Sequence, residues 1–406
     1  MPPSVTDNII EALHAVDNKK QNIVDAIDAI DRREIPFLNI LGWGLEAGPS
    51  KGVNSLSFPC FQVEHTWQND ELIPSITSLL DAYAAAAGSF RLQSGEAAYL
   101  ISGETLAATS GNNTTIFQVD AVDTATDTVT VTVLRGDAAH VAGTKLYSMG
   151  RPAPEGQPYA TSGKVTAITS DTNHTQIFGG GRDGVVAVTG RRQAVMSYGI
   201  QNYLGYQESK RFTELVIRLE QSAMYQQRTA TVPAAESAEA TRMGGLHYFI
   251  VDQTGGIVKD ANGLDIGTNE GILKDALDEI WGAGGSANLA LMNTFQRRRF
   301  SDMLVPFVRT DRTERVNGVV VNEYEYSHGS IRVALSKWVH DSHIWLLNPE
   351  YIGIGPLQGN GVDRSFHVEE MPKTGDYEVR VISGEYVMEV RNRKRSHALI
   401  RNLPTS

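Results

Sequence analysis

Between Tyr203 and Arg228 the chain reads YLGYQESKRFTELVIRLEQSAMYQQR. Leu204, Phe212, Leu215 and Leu219 recur at helical spacing, and no proline interrupts the run. Glu214 and Arg218 stand four apart in the orientation that favours an ion pair on a helix. A helix over this whole stretch would be about 39 Å long. Pro233 and the Ala/Glu/Ser stretch 234–240 end it. One helix of that length amid much β-type sequence suits a stiff beam better than a compact enzyme domain, and it sets the expected class as α+β.

Working towards the N-terminus, residues 92–150 read as an inserted all-β module. The run Thr128-Val129-Thr130-Val131-Thr132-Val133 alternates strictly, which puts the valines on one face of a strand. Turn signals surround it at Ser110–Asn113, Asp127 and Arg135–Asp137. Short strands over about 60 residues predict a small barrel or sandwich. The extended segments before and after it make it a module spliced into a hairpin. Pro36 and glycines 42, 44, 48 and 52 separate this region from residues 1–34. There, Ile9, Leu13 and Val16 share one helical face and Ile23, Ile27 and Ile30 another, with Thr6 and Asp7 as candidate caps. Helices this short need a surface to dock on, either on their own chain or on a neighbour.

Towards the C-terminus, residues 242–370 read as α/β. The sequence predicts a helix carrying Ile272, Leu273, Ala276, Leu277, Ile280 and Trp281, a buried strand over 287–292, and a second helix over 294–304. Strands are expected over 318–326, 330–337 and 344–354, and a hairpin turning at Ser383-Gly384 within 377–392.

Sites for chemistry are scarce. Gly179–Gly184 lacks the Gly-Lys-Ser/Thr ending of a phosphate loop, Ser162–Thr166 lacks its glycines, and glycines 353, 355, 359 and 361 miss the dinucleotide spacing. His340 and His343 lie in a strand-like stretch with Trp338 and Trp345, so their rings are expected to point apart, and no ligand set completes them. No Gly-x-Ser-x-Gly elbow is present, and the lone Cys60 sits in an apolar Phe-Pro-Cys-Phe context that favours an inert thiol. Neither an enzyme nor a cofactor is expected. The charge of −11 repels polyphosphate, which disfavours tight nucleic-acid wrapping. No stretch approaches the roughly 20 apolar residues of a membrane helix, and the N-terminus carries no secretory pattern. Two basic clusters stand out, Arg297-Arg298-Arg299 and Arg391 to Arg395. A solvated face, pairing between subunits, or contact with DNA would each use them.

Several strings then line up with one family. Val63-Glu64-His65-Thr66-Trp67-Gln68-Asn69-Asp70-Glu71-Leu72, the Glu155-Gly156 pair, Asn173–Phe178 with Val188–Gly190, Thr241–Leu246 and Glu385–Asn392 occur in an order that resembles the major capsid proteins of tailed bacteriophages. The resemblance spans about 35–400 and is to the Hong Kong 97-type fold, in the branch with a β insertion in its extended loop. It implies an N-terminal arm (1–35), a peripheral domain (36–52, 191–241 and 371–406) with spine helix 193–229, an extended loop (53–91 and 151–190), the inserted module (92–150) and an axial domain (242–370). It implies pentamers and hexamers of a shell around double-stranded DNA, bound without sequence specificity, with portal, scaffolding and decoration proteins as partners, assembled in the host cytoplasm and residing in the virion. Inter-subunit contacts are expected at Phe61, Trp67, Asp70, Glu71, Glu155, Ile177 and Phe178 on the loop, and at Ile9 and Leu13 on the arm; for Phe61, Trp67, Ile177 and Phe178, packing within the chain's own core is the alternative. Arg297, Arg298, Arg299, Arg393, Lys394 and Arg395 complete the set. An encapsulin-like compartment shell, and a hydrolase with a β appendage, are the competing readings.

Overall fold

The structure, a computed structural model, describes residues 34–44, 48–49, 58–70, 72–111, 113–153, 155–156, 168–181, 183–195, 202–233, 239–267, 271–304, 313–316, 319–326 and 329–405. The expected arm helices, with Ile9 and Leu13, lie outside the described residues, as does Glu71. Two compact units form, one from residues 68–170 and the other from the rest.

The smaller unit is a six-stranded antiparallel sheet in the order Ile76–Ser78, Lys145–Ser148, Thr105–Ser110, Asn113–Asp123, Thr128–Arg135, Ser89–Arg91. Its two edges meet: the Leu80 amide donates to Arg91 O at 2.8 Å and the Gln93 amide to Ser78 O at 3.0 Å. The sheet thus closes into a small barrel and leaves no long open edge. Val129 and Val131 point inward while Thr130 and Thr132 are exposed, as strict alternation requires. Tyr83, Phe90 and Phe117 meet edge to face at the centre, with Tyr83 5.0 Å from Phe117 and Phe90 5.4 Å from it. The expected module began at 92. It begins earlier, because 76–78 and 89–91 are barrel strands, and Leu79, Phe90 and Leu92 in or next to them are buried in its core.

In the larger unit, two sheets share one core with the long helix. The strand Tyr377–Val390 is central to the first. Gln176–Phe178 and Val185–Thr189 pair along one of its edges, and Ile352–Pro356 and His367–Glu370 along the other. The second is a seven-stranded mixed sheet in the order Ile257–Asp260, Ala398–Arg401, Ile344–Leu347, Leu289–Met292, Gly329–Leu335, Val319–Tyr326, Thr313–Val316. Its central strands Leu289–Met292 and Ile344–Leu347 are buried throughout, as strands covered on both faces must be.

The expected hairpin at Ser383-Gly384 is instead the middle of one 14-residue strand. Gly384 serves packing there, since a Cβ on it would sit 2.6 Å from the Phe366 ring. The strand expected over 344–354 is interrupted by a short 3₁₀ turn, Pro349–Tyr351, capped by the Asn348 side chain. Trp281, expected on the buried face of the helix Gly271–Gly282, is 62% exposed, while Ile272, Leu273, Ala276, Leu277 and Ile280 are buried.

The long helix runs Tyr203–Tyr225, capped by Asn202, whose Oδ1 accepts the Gly205 amide at 3.1 Å. It stops short of Arg228 because the chain turns at Gln226, whose carbonyl accepts the Gly245 amide, and because Arg228 reaches out to Thr172 O at 2.7 Å. Glu214 and Arg218 do not pair as expected. Glu214 binds Arg211 at 2.6 Å and Arg218 binds Asp183, a partner the sequence places 35 residues away.

Candidate assembly surface

The strands Glu64–Asn69 and Thr169–His174 pair as a two-stranded ribbon, with the Thr66 and Thr172 hydroxyls 3.1 Å apart. A ribbon this narrow cannot bury both faces in itself. Its root is fastened by polar groups. Asn173 donates through Nδ2 to Gly244 O (3.0 Å) and Met388 O (2.6 Å), and its Oδ1 accepts the Gly244 amide at 2.6 Å. The Thr175 hydroxyl donates to Glu385 at 2.6 Å, and Arg364 pairs with the same carboxylate at 2.8 Å.

His65 is the second fastening. Its Nε2 lies 2.9 Å from Glu389 of the central strand, and its ring stacks on Phe58 at 4.7 Å. Burial pulls its pKa down, but hydrogen bonds to Cys60 and Glu389 outweigh this and lift it to about 9. Glu389 is held below the ordinary carboxylate range. Its burial pushes the other way, and the His65 and Arg391 hydrogen bonds overcome that. The ribbon root is therefore locked by an imidazolium–carboxylate pair. Cys60 beside it is buried, its thiol donating to Gln62 O at 2.8 Å, in keeping with a structural role.

The structure separates the expected contact residues. Trp67 and Phe178 are both 5% exposed and belong to the chain's own core, Trp67 against Phe249 at 5.5 Å and Phe178 against Tyr386 at 6.4 Å. Their expected role as inter-subunit contacts is thereby corrected, because Trp67 on the ribbon strand and Phe178 on the sheet strand Gln176–Phe178 each fall on the inward side of the alternation. Phe61 and Ile177, by contrast, are 65% and 50% exposed. Ile177 stands at the lip of a groove of about 390 Å³ between Gln176–Phe178 and the long helix, lined also by Arg218, Gln221 and Tyr225. Asp70 and Glu155 are exposed.

Among the basic residues, Arg393 is also corrected. It is buried, binding both oxygens of Asp171 at 3.1 Å and Thr254 O at 3.0 Å. Arg299 pairs with Asp265 at 3.0 Å and lies over Phe295, as does the exposed Arg298. Arg297 and Arg395 are half-buried and Lys394 is exposed. The rings of His340 and His343, expected to diverge, sit 5.0 Å apart because a turn rather than a strand carries them. Among the described residues no group of three potential metal ligands forms.

Sequence reasoning missed Leu72, Ile73, Ile76, Tyr147, Met149 and Ile168. All are exposed, Leu72 at 88%, and all belong to the barrel unit. Ile76 and Tyr147 are direct cross-strand partners on its outer face. The signal was available in Leu72-Ile73-Pro74, an apolar pair next to a proline that resists burial in a sheet interior.

No curated protein matches the chain. Among solved structures it is similar to one titled Microbacterium phage Oxtober96 (11% identity, 97% of this chain and 99% of that one, TM-score 0.47). It is also similar to the capsid of a native GTA particle (10%, 97% and 99%, 0.44) and to the SrpI encapsulin of Synechococcus elongatus (14%, 60% and 78%, 0.40). Residues 6–404 match the model of the SU10 major capsid protein family, and the chain belongs to that family as a major capsid protein of a tailed phage.

Proposed function

We propose that this capsid protein associates into pentamers and hexamers that tile a closed shell around double-stranded DNA. Its assembly in the host cytoplasm would draw on portal and scaffolding proteins, with decoration protein as a further partner. It is a structural protein of the virion, not an enzyme. The reading gives residues 1–35 the role of arm, the ribbon with its flanks that of an extended loop over a neighbour, the long helix that of spine, and 242–370 that of axial domain. The remaining segments, 36–52, 191–241 and 371–406, form the peripheral domain around the spine.

One observation supports it above the others. Phe61 and Ile177 at the ribbon root, and Leu72, Ile73 and Ile168 in the barrel unit, are left uncovered by their own unit. Large apolar side chains left exposed on each unit are candidates for contacts with further copies. Each contact can be modest, because shell closure repeats it many times. The charge of −11 leaves no net attraction for DNA, which suits a wall that encloses nucleic acid and does not wrap it. Expression with the other head proteins of its phage, followed by electron microscopy, tests the reading. Closed particles with nucleic acid inside are expected, and a chain that stays monomeric in every such co-expression would overturn it.

A further inference from the structure

The first described segment of the chain, residues 34–41, forms a buried plug. Ile35, Phe37, Leu38, Ile40 and Leu41, in and around the helical turn Pro36–Ile40, are at most 4% exposed. The plug sits in the same core as the long helix and the turn that follows the strand Gly329–Leu335. At its heart lies Glu220 of the long helix, a carboxyl with 0% exposure. The Phe37 and Leu38 amides approach its two oxygens at 3.4 and 3.5 Å, long for hydrogen bonds to a carboxylate, and the Ser336 hydroxyl completes its surroundings. Trp338, two residues on, holds the outer end of the plug by donating from Nε1 to Glu34 O at 2.9 Å.

We infer that Glu220 is a proton-operated latch: the neutral acid lets the plug seat between the spine helix and the 336–338 turn, and its ionisation favours release of the plug. Titratable groups also stand on the packed elements: Glu34 at the plug, Lys337, His340, Asp341 and His343 in the turn, and Glu214 and Tyr225 on the helix. Among the described residues, the groups that act on Glu220 are the Phe37 and Leu38 amides and the Ser336 hydroxyl. Burying a carboxylate is costly, so burial raises the acid to about 8 against the weaker pull of the two amides and Ser336. Once the plug lifts and water enters, the group returns to an ordinary acid near 4.5. Linkage then fixes the sign. Between those two values the opened form sheds a proton that the seated form keeps, so opening gains about tenfold per pH unit, and above about 8 it gains no more.

The test is hydrogen–deuterium exchange of the intact full-length chain between pH 5 and 10, corrected for the intrinsic pH dependence of exchange. Protection of peptides covering 34–41 should fall by about tenfold per unit up to about pH 8 and then level off. Strand 128–135 of the barrel serves as the internal control and should not follow. Glu220→Gln, which keeps the shape and cannot ionise, should give a flat profile at 34–41. A wild-type profile at 34–41 that is flat, or that merely parallels the barrel control, overturns the latch even if Glu220→Gln fails to fold. So does a Glu220→Gln profile identical to wild type.

Discussion

Trp67 and Phe61 look alike in the sequence, two aromatics six residues apart, yet one is 5% and the other 65% exposed. Their substitutions should separate folding from assembly. Trp67→Ala removes a ring packed on Phe249 and should cost about 3–5 kcal/mol of stability, measurable as a lowered denaturant midpoint of the unassembled chain. Phe61→Ala should change that stability by no more than about 0.5 kcal/mol while reducing the yield of closed particles counted by microscopy. Identical midpoints for Trp67→Ala and wild type would remove Trp67 from the core. His65 gives a pH signature. Its pKa is about 9 in the fold against an ordinary 6.5, so the stability it adds is present in full below about 6.5 and lost as the pH rises through about 9. The wild-type urea midpoint should therefore decline relative to that of His65→Gln across this window. Parallel curves would mean the Glu389 contact carries no coupling.

At the scale of the element, the strand Tyr377–Val390 organises the first sheet, and the glycine turn Gly179-Gly180-Gly181 lets two strands meet on its one edge. Gly179 has φ +91°, and a Cβ there would stand 2.1 Å from Ile382 O, a backbone atom that cannot step aside. Gly179→Ala should cost about 3 kcal/mol or more through combined strain and overpacking. At Gly384 the nearest obstacle is the Phe366 side chain, not backbone, and no positive φ adds strain, so Gly384→Ala should cost less. A thermal melt of both variants decides the order, and equal losses would undo the argument. The same pair shows where the sequence was legible. The alternation at 128–133, the long helix and the apolar face of Gly271–Gly282 are local periodicities, and they were readable. Ser383-Gly384 carries a turn signal locally but is held straight by strands on both edges, which only tertiary pairing reveals. The barrel strands 76–78 and 89–91 are too short to show a period at all. In the candidate surface, the residue types were foreseeable. Which aromatics face outward was not, because that depends on how the ribbon root lies on the body.

For the whole molecule, the division into two units implies a division of stability. Every member of the barrel's core cluster, from Leu79 to Leu146, comes from within residues 68–170, and no member of the other clusters does. The two ends of that segment also lie together, since the Thr169 hydroxyl donates to Asn69 O at 3.4 Å. Modules with adjacent ends and a private core tolerate excision. A fragment of residues 68–170, about 100 residues and within the range that folds alone, should show a β-type circular dichroism spectrum and a single cooperative urea transition. The complementary chain, with 71–168 replaced by a short Asn-Gly turn, should keep the packing of Trp345 in the other core, seen as a preserved near-ultraviolet signal. Loss of cooperativity in both pieces would show that the barrel and the body stabilise one another. If both pieces fold, each unit's own core is sufficient for its fold.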